Sequence, residues 1–263
     1  MIAALTKKRL KQKLLMSLFA FFYMACITLF AEKAACAEDM SYLKNYFKVE
    51  GEDAIANASN GILSFSATRS QFNSGHGHGW RNEAKIREQL RLPVGQTREH
   101  FSATVIPHLP AGAKTIVAQY HFEGLSTAMK VYVQDTKQTG MMDGVEENGV
   151  FDILARITGP DGKEGAFPLG TVQSGEPFDL DVSFNAGVVN VTVSTKKQGQ
   201  KETGNVSLPD TSSLVYFKFG DYLQAMNAAG QHTTNEDEWK EYFTQHHIDH
   251  TEVDFSHASF VRN

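Results

Sequence analysis

Cysteine is almost missing from this 263-residue chain, and both copies lie close to its start. They are Cys26 and Cys36, within a segment that has the layout of a removable secretory signal. A chain that begins at Glu38 holds neither of them. Disulfides, cysteine nucleophiles and cysteine-ligated zinc are therefore excluded for such a chain, and its stability has to come from packing.

The signal-like segment has three parts. A basic stretch over residues 7–13 is followed by an uncharged, largely apolar run over Leu14–Ala31 and by the small residues Ala35-Cys36-Ala37. An apolar run of 18 residues can also just span a bilayer, so an uncleaved anchor is the alternative. The small residues favour cleavage after Ala37. We expect a signal peptide over residues 1–37, one domain over residues 38–263, and a secreted or periplasmic protein without stable membrane association.

Positive charge is also scarce. The chain has 25 lysine and arginine residues against 30 aspartate and glutamate residues, a formal charge of −5. Loss of residues 1–37 removes six of the basic residues and one acidic residue, which leaves a charge of −10. This balance argues against a nucleic-acid partner. The 41% hydrophobic content and the 18 phenylalanines exclude wholesale disorder.

Short segments of alternating or β-branched residues recur after residue 60, and Gly, Pro, Asn and Asp separate them. In the clearest case, apolar residues at every second position over Phe178–Phe184 indicate a strand with one face in a core and one in water. The turn Asn185-Ala186-Gly187 then predicts a hairpin. The predicted strands are Ile62–Thr68, Phe101–Ile106, Thr115–His121, Met129–Gln134, Val150–Thr158, Phe178–Phe184, Val188–Ser194, Leu214–Phe219 and Val253–Val261.

Only two segments have helical character. Met40–Phe47 is short, and Glu236–Gln245 begins with acidic residues and carries aromatic residues along one side. The second segment interrupts the strand rhythm, so we interpret it as an insertion that is either a packed surface helix or a lid. Many strands and few helices predict an all-β fold, a jelly-roll β-sandwich with one or two short helices.

Three of the predicted extended segments carry clustered polar residues, which alternation places on one face of each. Taken singly, each pattern is also typical of a solvated edge strand or of a structural side chain. Together they offer cations, amides, a histidine and tyrosines, but no pair of carboxylates. The segments are Arg87-Glu88-Gln89-Leu90-Arg91, Gln119-Tyr120-His121 and the stretch with Tyr216, Lys218, Tyr222 and Gln224.

This set of residue types favours one reaction over its nearest competitor. A glycoside hydrolase needs two carboxylates that flank the bond, and these segments do not supply them. β-Elimination on a uronic acid instead needs cations and an amide to neutralise the carboxylate beside C5. A histidine or tyrosine base then takes the C5 proton, and a tyrosine can protonate the leaving C4 oxygen.

The order R-x-x-L-R, Q-x-H and Y-F-K-x-G-x-Y-x-Q resembles polysaccharide lyase family 7, the β-jelly-roll alginate lyases. The motifs are written here as REQLR, QYH and YFKFGDYLQ, and the general pattern covers most of the chain after residue 37. The resemblance implies an alginate lyase that acts on an anionic uronate polysaccharide without a metal or other cofactor.

The resemblance also implies roles for individual residues. Arg87 and Gln119 resemble the pair that neutralises the carboxylate, His121 the histidine that acts as base or aids neutralisation, and Tyr222 the catalytic tyrosine. Positions that bind sugar or orient these groups are implied for Arg91, Lys218 and Gln224. Gln89 and Tyr216 are further candidates for substrate binding, because alternation places them on the same faces as these residues.

The sequence departs from the family pattern in two places. Gln89 stands where the family usually has glutamate, and Tyr120 where it usually has isoleucine or valine. Family members are often sorted between guluronate and mannuronate by the latter residue, so Tyr120 leaves the substrate open. A lyase of the same fold on glucuronan or another polyuronate is one alternative, and a non-catalytic carbohydrate-binding jelly roll is another. A monomer is the default expectation.

Three further stretches have residues that suggest binding. Trp80 follows the glycine-rich run Gly75–Gly79, and we expect a mobile loop there in which the indole stacks on a sugar ring. His246-His247-Ile248-Asp249-His250 resembles a metal site but lies in the presumed insertion, so we interpret it as a solvated loop. The acidic stretch Asp143–Gly149 lacks the spacing of an EF-hand loop, and we interpret it as a hairpin turn.

Overall fold

The computed structural model describes residues 39–124, 126–136 and 144–263. The predicted signal peptide, both cysteines and Asp143 lie outside these residues. Within them fifteen strands follow one another: β1 (Phe47–Glu50), β2 (Ile62–Phe65), β3 (Arg81–Ile86), β4 (Leu92–Pro93), β5 (Arg98–His108), β6 (Lys114–Phe122), β7 (Thr127–Gln134), β8 (Val150–Thr158), β9 (Glu164–Gln173), β10 (Phe178–Asn185), β11 (Val188–Thr195), β12 (Gly199–Glu202), β13 (Val206–Ser207), β14 (Leu214–Leu223) and β15 (Glu252–Arg262).

The strands form two sheets in which every neighbouring pair is antiparallel. The eight-stranded sheet has the order β1-β3-β14-β6-β7-β8-β9, with β4 beside β14. The seven-stranded sheet has the order β12-β11-β10-β5-β15-β2, with β13 beside β11. Strands distant in sequence are therefore neighbours, and β3, β14 and β6 lie side by side.

Aromatic rings join the two sheets. Phe217 of β14 lies 4.9 Å from Phe101 of β5 between ring centroids, and Phe219 of β14 lies 5.2 Å from Phe255 of β15. All four side chains are fully buried. In strands such as β5 and β10, alternation sends every second residue into the layer between the sheets and leaves the opposite residues for the outer face, which confirms the predicted all-β sandwich.

The hairpin predicted after Phe184 is confirmed, because β10 and β11 pair from Phe178–Thr195 to Asn185–Val188. Ala186 and Gly187 both have positive φ, 48° and 86°, the backbone form that two-residue hairpin turns require.

The helices agree with the sequence in one case and differ in another. Helix α2 (Glu236–Gln245) has the predicted bounds, and it buries Trp239 and Phe243 as a packed helix. The segment Met40–Phe47 instead forms a 3₁₀ turn, Ser41–Asn45, before β1 begins at Phe47. The remaining short helices are α1 (Ala67–Ser70) and the 3₁₀ turns Ala54–Asn60, Glu88–Leu90 and Val94–Gln96.

The strand predicted over Ile62–Thr68 is correct only as far as Phe65. Ser66 accepts a hydrogen bond from the Arg69 N–H and so caps α1. No helix in the described part of the chain is long and apolar enough to cross a membrane.

Candidate active site

A cleft of about 430 Å³ lies on the outer face of the eight-stranded sheet. Its floor comes from paired positions of neighbouring strands: Lys218 of β14 lies opposite Lys85 of β3 on one side and Gln119 of β6 on the other. The cleft is lined by Glu50, Ser74, His76, His78, Arg81, Lys85, Ile116, Gln119, His121, Thr127, Lys130, Tyr132, Tyr216, Lys218, Tyr222, Gln224 and His232.

Six of the ten residues singled out in the sequence meet in this cleft, and all six come from the second and third motifs. Alternation along β6 and β14 turns these side chains outward while Tyr120, Phe217 and Phe219 enter the core. The six residues are Gln119, His121, Tyr216, Lys218, Tyr222 and Gln224.

The first motif does not form the predicted strand. Glu88–Leu90 is a 3₁₀ turn, closed by hydrogen bonds from the Leu90 N–H to the Arg87 carbonyl and from the Arg91 N–H to the Glu88 carbonyl. Because strand alternation does not apply to a turn, Arg87, Gln89 and Arg91 do not share a sheet face. None of the three lines the cleft.

These three residues line a neighbouring cavity of about 330 Å³ instead. We call it the outer groove and define it by Lys48, Phe72, Lys85, Arg87, Gln89 and Arg91. The Arg87 guanidinium donates to the Lys44 carbonyl through Nε at 3.1 Å and Nη2 at 2.9 Å. The Arg91 guanidinium pairs with Glu123 and lies 4.3 Å from the Tyr216 ring centroid.

Trp80 belongs to the core and not to the sugar-binding surface predicted for it. Its side chain is buried, and its ring lies 5.1 Å from that of Phe243 in α2. The indole therefore anchors the helix to the sheet and has no face available to a sugar.

The sequence reasoning missed the arginine of the cleft, which is Arg81 at the start of β3. Arg81, Glu83 and Lys85 alternate with Ala84 and Ile86, so the charged side chains face outward and the apolar ones face the core. This R-x-E-x-K pattern was the available signal, and it includes a glutamate of the kind that the first motif lacked at Gln89.

Glu83 connects the cleft residues. Its buried carboxylate accepts a hydrogen bond from Gln119 Nε2 at 2.5 Å, and it lies 3.4 Å from both Arg81 Nη1 and Lys218 Nζ. One carboxylate therefore orients an amide and two cations that come from three different strands.

This arrangement also sets the tautomer of His121. A carboxylate oxygen only accepts hydrogen bonds, so the Gln119 amide turns its NH₂ toward Glu83 and its oxygen toward His121. The Gln119 oxygen lies 3.1 Å and the Thr127 hydroxyl oxygen 3.2 Å from His121 Nε2, and a proton on Nε2 satisfies both oxygens. The Nδ1 atom is left with a free lone pair, as a general base requires.

The charge state of His121 fits the same role. Burial, together with the nearby cations Lys218 and Arg81, lowers the pKa of His121 to about 3. The imidazole is therefore neutral at physiological pH and keeps a lone pair for a proton, although the lowered pKa makes it a weaker base than a free imidazole. Its ring stacks on Tyr216 at 5.6 Å and 11°, which fixes its plane.

Tyr222 lies at the other end of the same group. The Tyr222 hydroxyl oxygen accepts a hydrogen bond from the backbone N–H of His78 at 2.8 Å, so the hydroxyl proton remains available for donation. The Arg81 guanidinium lies 3.8 Å from the centre of the Tyr222 ring. Gly77 leaves no spare room here, because a Cβ at that position would come within 2.3 Å of Arg81 Nη2.

The cleft is positively charged although the chain as a whole is negative. Lys85 and Lys218 share Glu50, at 2.9 and 2.7 Å. Burial opposes ionisation of that carboxyl, but the two lysines outweigh it and lower the pKa of Glu50 to about 2. Four cationic side chains line the cleft, and they are Arg81, Lys85, Lys130 and Lys218. Three carboxylates pair with them, Glu50, Glu83 and, at Lys130, Glu164, so one positive charge is left in excess.

The histidine-rich stretches divide between two places. His76 and His78 line the cleft, and the ring of His78 lies 5.0 Å from that of His232, which sequence reasoning did not select. His246 instead pairs with Glu147 at 2.8 Å, outside the cleft. Among residues 39–124, 126–136 and 144–263, no three histidine, aspartate or glutamate side chains are grouped so as to hold a metal ion.

Tyr120, the second residue at which the sequence departs from the family pattern, does not reach the cleft. Its side chain is fully buried between the sheets, and its hydroxyl donates to Glu99 of β5 at 2.9 Å. Arg262 of β15 pairs with the same carboxylate. The larger side chain at this position thus changes the core and leaves the outer face of β6 unaltered.

Comparison with known proteins connects this geometry to one family. The family model described as alginate lyase matches residues 38–260. The catalytic domain of the polysaccharide lyase family 18 enzyme aly-SJ02 is 34% identical over 84% of this chain and 96% of its own, with a TM-score of 0.75. The alginate lyase from Alteromonas sp. 272 is also 34% identical, over 84% and 95%, with a TM-score of 0.74.

A polysaccharide lyase family 7 enzyme, alginate lyase A1-II′, has the same fold at lower identity. It is 15% identical over 85% of this chain and 98% of its own, with a TM-score of 0.56. This likeness confirms the predicted jelly-roll sandwich. No curated protein matches the chain.

Proposed function

The chain belongs to the alginate lyase family and is an alginate-cleaving polysaccharide lyase, and we propose that it performs the cleavage by β-elimination in the cleft on the eight-stranded sheet. The proposed catalytic residues are Arg81, Gln119, His121 and Tyr222. Arg81 takes the place that the sequence suggested for Arg87, since only Arg81 lines the cleft.

Neutralisation of the substrate carboxylate is the first requirement. Arg81 and Gln119 bind the carboxylate next to C5, and Lys218 adds positive charge beside them. This stabilises the negative charge that develops when the C5 proton leaves. Glu83 positions Arg81 and Gln119 and so acts through them.

Proton transfer is divided between two residues. His121 Nδ1 takes the proton from C5, and the electron pair of that C–H bond forms the C4–C5 double bond. The bond from C4 to the glycosidic oxygen breaks, and the Tyr222 hydroxyl gives its proton to that oxygen. The products are a shortened chain and an oligosaccharide with a 4,5-unsaturated end.

The single observation that carries this proposal is the hydrogen-bonded chain from Glu83 through Gln119 to His121, which leaves Nδ1 as the free basic atom in the cleft that Tyr222 also lines. A protein that only bound polysaccharide would need the cations but not a neutral histidine beside a tyrosine.

The direct test is the ultraviolet absorbance of the conjugated product, measured on alginate, its mannuronate-rich and guluronate-rich blocks, glucuronan and hyaluronan. We expect absorbance to rise on alginate. In Tyr222→Phe, kcat should fall about 10³-fold, because general acid catalysis is lost while the ring remains. A wild-type protein that binds alginate without any rise in absorbance would overturn the proposal in favour of a binding module.

The assignment of the arginine is tested by a matched pair of variants. Arg81→Ala should lower kcat by at least 10²-fold, because the substrate carboxylate stays charged. Arg87→Ala should leave kcat within about threefold of wild type, because Arg87 lies outside the cleft. If the effects of the two substitutions on kcat were exchanged, the first motif would be the catalytic one.

For location, we propose export with removal of residues 1–37, on the basis of the three-part signal segment alone. Amino-terminal sequencing of the protein recovered from the medium and from the periplasm tests this. A mature chain that begins at Glu38 is the expected result, and an intact residue 1 in a membrane fraction would contradict it. We further propose that the mature protein is a monomer that binds the anionic polysaccharide directly.

A further inference from the structure

The outer groove adjoins the cleft. Glu50 and Lys85 line both cavities. Tyr216 also connects them, because its ring lies 4.3 Å from the Arg91 guanidinium on the groove side and stacks on His121 in the cleft. A polymer that occupies the cleft can therefore extend into the groove.

The backbone register places positive charge along this route. Lys48 of β1 lies opposite Lys85 of β3, which lies opposite Lys218 of β14. Residues that face each other across neighbouring strands share one sheet face and are separated by about 4.8 Å per strand. The row therefore leads from the centre of the cleft to the edge strand of the sheet.

Glu50 and Glu88 also line the groove, but Glu50 pairs with two lysines and Glu88 pairs with Arg91, so two other cations of the groove have no carboxylate partner among the described residues. Among the described residues, no ion pair involves Lys48 or Arg87. The Arg87 guanidinium is held in place by its two hydrogen bonds to the Lys44 carbonyl, so it is preorganised for an anion.

Phe72 adds an apolar surface to the groove. Among the described residues it is one of four large hydrophobic residues that are exposed, at 37%, and its carbonyl accepts a hydrogen bond from the Arg81 N–H at 3.1 Å. The backbone that carries this ring is thus fixed next to the catalytic arginine. Sugar rings present apolar C–H faces that pack on aromatic side chains, and an aromatic ring buries much area at little entropic cost.

We propose that the outer groove is a distal subsite that binds a further uronate residue of the polymer, with its carboxylate on Arg87 and Lys48 and its ring against Phe72. This rests on the proposed function, because it assumes that the cleft holds a uronate chain. The subsite makes the enzyme prefer long chains to the shortest ones that it cleaves.

The test compares kcat/KM on polymeric alginate with kcat/KM on the shortest oligosaccharide that the wild type cleaves. In Arg87→Ala and in Phe72→Ala, the ratio of the polymer value to the oligosaccharide value should fall about tenfold. In Arg87→Lys, which keeps the charge but loses the guanidinium fork, this ratio should fall less. Raised salt should lower the wild-type ratio, because the contacts are ionic.

Arg98→Ala is the matched control. Arg98 is exposed and, like Arg87, donates to a backbone carbonyl, that of Gln96, but it lies in the other sheet. The substitution Arg98→Ala should leave the ratio of the polymer kcat/KM to the oligosaccharide kcat/KM unchanged. Ratios within twofold of wild type in both Arg87→Ala and Phe72→Ala would overturn the distal subsite.

A second measurement does not depend on turnover. Polymeric alginate is titrated into Tyr222→Phe with and without Arg87→Ala, and a tenfold loss of affinity supports the subsite while an equal affinity overturns it. An inactive wild-type protein would therefore count against the proposed function, and the titration would still test whether the outer groove binds the polymer.

Discussion

Gly77 offers a way to move the catalytic arginine without touching it. The φ of Gly77 is not positive, so alanine fits its backbone. The added Cβ would lie 2.3 Å from Arg81 Nη2 and 3.0 Å from the Tyr222 hydroxyl, whereas ordinary contact begins at 3.4 Å. The guanidinium, as the far end of a flexible side chain, has to retreat by about 1.1 Å. A misplacement of about 1 Å can cost about 10²-fold in rate.

We therefore predict that Gly77→Ala lowers kcat about 100-fold on alginate while the protein stays folded. Replacement of glycine by alanine at a compatible position stabilises by about 0.4–1 kcal/mol through the unfolded chain, which offsets the local repulsion. The thermal midpoint, followed by circular dichroism, should change by no more than a few degrees. The ultraviolet assay gives kcat on the same preparation.

Gly95→Ala is the control for this substitution. Gly95 also lacks a positive φ, and nothing lies within 4 Å of a Cβ built there, so kcat should not change. The double variant with Arg81→Ala should be only slightly slower than Arg81→Ala alone, because the shortest contact of the added Cβ is with Arg81 and the contact with the Tyr222 hydroxyl is milder. A Gly77→Ala protein with kcat within threefold of wild type would refute the assigned position of Arg81 in catalysis.

Three further predictions concern the groups around the cleft. Glu83→Gln frees the Gln119 amide to turn and leaves the buried cations Arg81 and Lys218 with one negative charge fewer beside them. We expect kcat to fall at least tenfold in the ultraviolet assay and the free energy of unfolding to fall by about 3 kcal/mol in a denaturant titration. If both values were unchanged, Glu83 would not be a positioning residue. The pKa of His121 is depressed to about 3 in the folded protein, so the unfolded chain takes up a proton on this residue at a higher pH than the folded protein does. The contribution of His121 to the free energy of unfolding is therefore complete above pH 6.5 and should decrease by up to about 3 kcal/mol as the pH falls to 4. His121→Asn should flatten that decrease, and an equal pH dependence in both proteins would contradict the shift. Tyr120→Phe loses one buried hydrogen bond to Glu99 and should cost about 1 kcal/mol of stability without altering the preference between mannuronate and guluronate blocks; an altered preference would show that the core behind β6 shapes the cleft.

The strands were predictable where alternation and turn residues agreed. Val150–Thr158 and Glu236–Gln245 have the predicted bounds, because local patterning and tertiary packing favour the same structure there. REQLR has the polar spacing of an exposed strand, but the hydrogen bonds that close a 3₁₀ turn leave no trace in that pattern. The spacing alone could not distinguish the two.

The arginine of the cleft was harder to find for a different reason. Arg81, Glu83 and Lys85 are charged residues on a largely buried strand, which a single sequence disfavours as a strand. They are tolerated because Glu50, Gln119 and Lys218 satisfy them, and those residues lie far away in the sequence. The polar network exists only after the strands have paired, so no local pattern could display it.

The pairing of β3, β14 and β6 gives the cleft a property that a loop-built site would not have. A slip of one residue in any of these strands would send its polar side chains into the phenylalanine-rich layer and turn apolar ones outward. The reacting groups are therefore assembled only in molecules whose strands have paired in the correct register. Turnover of a preparation can consequently serve as a count of correctly folded molecules, because a misregistered sandwich would contribute nothing to it.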